Sequence, residues 1–101
     1  MNHSYIVKTT VADTILFVTS DYSKIIPEFL SRIKISMEKW NNMVEYKNLG
    51  NMKEYWRIHH ENLSTPHRME FPGQDAMKIG DRYVLFGCSQ ETFVVDVMAS
   101  V

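Results

Sequence analysis

IPEFLSRIKISMEKWNNMV, residues 26–44, places apolar side chains at Ile26, Leu30, Ile33, Met37, Trp40 and Val44. The spacing of four, three, four, three, four is the rhythm of a helix that buries one seam against a partner. Working back, Ser20-Asp21-Tyr22-Ser23 offers side chains that can accept from the free N–H groups of a first turn, and Pro27 fits inside that turn. Working forward, nothing breaks the pattern before Asn48-Leu49-Gly50, where Gly50 suits a helix end. The spacing therefore predicts a helix of about 23 residues, roughly 35 Å long. A five-residue strand covers only about 17 Å, so part of such a rod overhangs its sheet. Ile25, Phe29 and Ile35 lie off the strict seam and widen its apolar face.

A second helix is expected after the glycine. Asn51 and Glu54 form a variant capping pair, and Met52, Tyr55, Trp56, His59 and Leu63 make a stripe that Pro66 stops. The two helices together read as an αα-hairpin.

Strand-like alternation lies on both sides of this helical block. Tyr5 to Val11 and Thr14 to Thr19 are rich in β-branched residues and close enough to form a hairpin. The second, more apolar run is expected nearer the centre of the sheet. After the block come a short strand at Arg68–Phe71, a tight hairpin of Met77–Ile79 and Arg82–Phe86 around Gly80-Asp81, and a closing strand from Thr92 to Met98. The plan is one α+β domain over residues 1–101. An antiparallel sheet of four to five strands carries a long helix and a second, shorter helix, inserted between an N-terminal β-hairpin and the C-terminal strands.

Composition limits the function. A chain of 101 residues with 45% hydrophobic residues can bury one modest core. The formal charge of −1 gives no general pull toward nucleic acid, although residues 24–68 sum to +3 and the remainder to −4. The longest strongly apolar run, Thr14 to Val18, is far too short to span a bilayer. On the helical block Glu28, Glu38 and Glu45 offset Arg32, Lys34 and Lys39, which removes a membrane-surface role. A single cysteine, Cys88, and a start lacking a basic, apolar leader point to a reducing cytoplasm.

Motifs for chemistry are missing. His59 and His60 point about 100° apart on a helix, and neither pairs with His67 or Cys88 at a metal-binding spacing, so no metal or cofactor is expected. No phosphate loop, nucleophile elbow or paired acid motif is present, so catalysis is the minority reading. The glycines at 73, 80 and 87 fit turns. What stands out is a surplus of Trp, Tyr, Met and Arg, the residues that dominate protein interfaces. Trp40, Met43, Tyr46, Tyr55, Trp56, Arg57 and His60 are the candidate contact residues, and the partner is another protein or a second copy bound through the helices. An inhibitor or accessory protein acting by surface occlusion fits this pattern. The rivals are a nucleic-acid-binding regulator using the basic and aromatic block 24–68, and a small-molecule binder with a pocket of Tyr, Trp and His.

Overall fold

The structure, a computed structural model, describes residues 3–43, 45–46, 67–69, 71–88 and 91–100. Its centre is a mixed α+β arrangement built on one sheet. Four antiparallel strands form the body: β1 (His3–Thr9), β2 (Thr14–Thr19), β5 (Arg82–Cys88) and β6 (Glu91–Ala99). Two short strands, β3 (Glu45–Tyr46) and β4 (His67–Met69), pair with each other in parallel and extend the sheet past β5. The order across the sheet is β2-β1-β6-β5-β4-β3. Both helices, α1 (Ile25–Ile33) and α2 (Met37–Asn41), lie in the segment between the N-terminal hairpin and the later strands. Residues 47–66, which include the expected second helix with its Met52, His59 and Leu63 stripe, lie outside the described residues.

A longer and a shorter helix do follow the N-terminal hairpin, but the longer one is cut short, its 3-10 turn and helix together running only from Tyr22 to Ile33. Asp21 starts the helical segment as expected: its carboxylate accepts from the Ser23 N–H at 3.0 Å and caps a 3-10 turn, Tyr22–Lys24, that runs into α1. Nine residues later α1 ends at Lys34, whose φ of 60° and ψ of 43° are left-handed. The Ile35 N–H donates to the Leu30 carbonyl at 3.0 Å and the Lys34 N–H to the Ser31 carbonyl at 3.4 Å. This is the Schellman closure, with Ile35 folded back onto the core as its hydrophobic contact. The chain then restarts at Ser36, whose hydroxyl accepts from the Lys39 N–H at 3.1 Å to cap α2. By Glu45 the backbone is a strand. Among the described residues there is no overhanging rod.

The buried stripe also differs from the expected seam. Ile25 and Phe29, one position off it, are the most deeply buried residues of α1 together with Leu30, while Ile26 and Ile33 are half-buried and Met37 is exposed. Two short helices facing one sheet reproduce a 3.5-residue rhythm without being continuous.

Call the helix-bearing side of the sheet its inner face. Tyr5 and Val7 of β1, Phe93, Val95 and Val97 of β6 and Phe86 of β5 meet there with Phe29, Leu30 and Trp40. Phe29 sits edge-on to Trp40, Phe86 and Phe93, with ring centres 5.1–6.2 Å apart. The closing strand is covered on both sides, since Val94 on the opposite face is also buried. The hairpin expected around Gly80-Asp81 does not form. Gly80, at φ 92°, turns the chain while its N–H donates to the Val97 carbonyl at 2.7 Å, and β5 pairs with β6 instead of with Met77–Ile79.

Candidate functional site

The candidate site lies at β2. Its high apolar content predicts a central strand, yet it is an edge, paired with β1 alone among the described residues. The run Thr-Ile-Leu-Phe-Val-Thr carries neither charge nor proline, the usual devices that blunt an edge. It has one irregularity. Phe17 faces Val7 and Ile15 faces Lys8, so Leu16 has no opposite residue and bulges. The extra residue turns Ile15 and Val18 to the same side, the outer face, where each is 57% exposed. Phe17 and Thr19 point to the inner face, opposite Val7 and Tyr5.

Beside this edge, α1 supplies the second wall of an open groove of about 200 Å³, lined by Phe17, Val18 and Thr19 from the strand and Lys24, Glu28 and Arg32 from the helical side. The three helical-side residues are spaced one turn apart, so they form a single row along the groove. Arg32 Nε donates to Glu28 Oε1 at 3.0 Å, and its guanidinium lies over the Phe17 ring, 5.4 Å from the centroid. The space is smaller than the roughly 300 Å³ at which small-molecule pockets begin, and no Tyr, Trp or His lines it.

The outer face holds an ion cluster. Asp96 on β6 accepts from Arg82 on β5 through two bonds, Nε at 2.6 Å and Nη2 at 2.8 Å, and Lys8 on β1 reaches it at 3.0 Å. Lys8 also lies 2.9 Å from Asp13. The Arg82 guanidinium, helped by Lys8, holds the Asp96 carboxyl below the usual carboxylate range, against the opposing effect of burial. Asp13 first, and then Asp96, raise the Lys8 ammonium above its ordinary value, and Asp96 does the same for the Arg82 guanidinium. These three strands are thereby clamped from the side opposite the helices.

A third cluster is aromatic. Tyr22 stacks on Phe71 at 5.7 Å, stands edge-on to Tyr5, and donates its hydroxyl to the Pro72 carbonyl. Burial pushes its phenol up. The contacts fix the entry of α1 against the segment that precedes β5.

Of the residues expected to make contacts, three fall among the described residues. Trp40 is 5% exposed, stacked on Phe86 and capped by the Arg68 guanidinium at 5.8 Å, so it is a core residue. Met43 packs partly buried against the same core. Tyr46 belongs to β3. Tyr55, Trp56, Arg57 and His60 lie outside the described residues. The groove residues escaped notice because an unprotected edge and a central strand have the same composition. No helix among the described residues is long and apolar enough to cross a membrane, and among them no group of three His, Cys, Asp or Glu side chains gathers to hold a metal. Comparison of the chain with models of known families, with curated proteins and with solved structures finds no match.

Proposed function

We propose that this chain is a small non-enzymatic protein-binding module that acts by taking an extended segment of its partner onto the free edge of β2. The observation that carries the reading is the edge itself: six residues without charge or proline, a bulge that turns Ile15 and Val18 outward together, and a groove alongside. Strand addition of this kind draws affinity from main-chain hydrogen bonds and specificity from the side chains seated beside them. The groove's size favours one or two side chains of an extended segment over a compact ligand. Occlusion of a partner's strand in this way suits an inhibitor or accessory protein.

The test compares wild type with Val18→Lys, which adds to the edge the charge that natural edges use for protection. Each is immobilised and exposed to an extract of the native cell. A protein retained by wild type and lost from the variant, together with new hydrogen-exchange protection in residues 14–19, is the expected result. Equal retention by both, with β2 exchange unchanged, overturns the reading.

A further inference from the structure

Resting on that edge-binding reading, we propose that the segment seated on β2 is acidic: a β-branched residue lies opposite Val18, flanked by a carboxylate side chain that enters the groove and meets Lys24. The hydrogen-bond pattern of the sheet fixes the seat. The Gly80 N–H donates to the Val97 carbonyl and the Val97 N–H to the Asp81 carbonyl, so both main-chain groups of Val97 turn toward the chain entering β5. Along a strand these groups alternate sides, so those of Asp96 turn toward β1, where Asp96 pairs with Ile6. The bond from the Thr10 N–H to the Thr92 carbonyl, at 2.9 Å, keeps the same alternation. The main chain of Ile6 is thus engaged with β6, and its neighbours Tyr5 and Val7 serve β2 through Thr19 and Phe17. Val18, between those two, has its N–H and C=O aimed away from β1, and neither is bonded among the described residues.

A segment laid along the edge therefore finds one donor and one acceptor at Val18. Its residue opposite Val18 shares the outer face with the exposed Val18 and Ile15 side chains and the half-buried Ile6, which suits a β-branched apolar residue. The residues on either side of it point inward, beside Phe17 and Thr19, into the groove. Charge decides what they are. Glu28 and Arg32 are bonded to each other at 3.0 Å and cancel. Lys24 also lines the groove and has no ion pair among the described residues. Asp21, three residues before it, has its carboxylate engaged by the Ser23 N–H and hydroxyl. The groove keeps one unmatched positive charge, and a carboxylate is the side chain that complements it.

Solution NMR on the full chain tests both the seat and the charge. In the free protein the Val18 amide should exchange with solvent faster than those of Phe17 and Thr19. The probes are blocked heptapeptides: Thr-Thr-Glu-Val-Glu-Thr-Thr, and its counterparts with both glutamates replaced by glutamine or by lysine. The glutamate peptide should slow exchange at Val18 and bind about two- to fivefold more tightly than the glutamine peptide, with the lysine peptide weakest. Lys24→Glu should reverse that order. Val18→Pro removes a donor that the sheet does not use, so the chain should stay folded and bind none of the three. Equal binding of the three peptides overturns the acidic occupant; if Val18→Pro still abolishes that binding, the edge-binding reading stands. A Val18 amide already protected in the free protein, or no binding of any peptide at millimolar concentration, overturns the proposal. Wild type that sediments as a dimer, with Val18→Pro a monomer, assigns the edge to a second copy and overturns it as well.

Discussion

The two faces of this sheet are held by different physics. On the inner face, aromatic and aliphatic side chains from β1, β5 and β6 are sealed by α1 and α2, and the rings of Phe29, Trp40, Phe86 and Phe93 form one interlocked group. On the outer face the strands are tied by Arg82, Asp96 and Lys8, while Ile15, Val18 and Met98 remain exposed. Burial of apolar area drives folding in proportion to the area removed from water, so most of the stability belongs to the inner face. The outer face has apolar residues to spare at its edge. Most of the burial thus lies on one side of the sheet, and apolar surface stays open on the other.

The division can be broken most forcefully at Trp40. Trp40→Ala removes the ring that bridges Phe29 and Phe86, and a loss of about 3–5 kcal/mol in chemical denaturation is expected. A loss below about 1 kcal/mol would place the ring outside the core.

Asp96→Asn attacks the other face. It leaves Lys8 and Arg82 without their shared carboxylate, and an effect of about 2 kcal/mol is expected by the same measurement. The pH dependence follows from the carboxyl's depressed value. Folded Asp96 binds protons less readily than unfolded Asp96. The stability it contributes is complete above the ordinary carboxylate range and is lost as pH falls through the lower native value. Acid titration of wild type and Asp96→Asn should therefore converge at low pH. Curves that stay parallel to the acid limit contradict the clamp.

Smaller effects sharpen the comparison. Lys34→Gly relieves a left-handed lysine at the helix break and should raise thermal stability by about 0.5–1 kcal/mol. A loss there would show that the Lys34 side chain contributes more than its backbone costs. Ile15→Thr, on the exposed outer edge, should change monomer stability by less than about 0.5 kcal/mol. A larger loss means that this residue serves the fold and not a partner.

What could be read from the residues depended on how local the cause was. Asp21 capping a helical start, Gly80 at a turn and the alternation of Phe93, Val95 and Val97 are short-range effects, and each is found as expected. The α+β class followed from strands grouped on either side of a helical segment. The helix break did not, because no glycine marks it. Lys34 adopts the left-handed state only because Ile35 gains the core by folding back and Ser36 can cap the restart. The position of β2 was misread for a different reason. Strand order is decided by which partners arrive from far along the chain, and β6 takes the place beside β1. The groove depends on that order, so none of its six lining residues was legible as a site.

The pairing of β1 with β6 joins His3 to Ala99 and Thr9 to Phe93, the most distant partners the described strands contain. A nascent chain leaving the ribosome can close the β1–β2 hairpin early, but β1 must then wait with its other side bare until β6 has emerged. The architecture is thus completed by β6, which lies between β1 and β5. Ribosome-stalled chains ending before Glu91 should stay open to protease, and resistance in such chains would show that β6 is dispensable to the framework.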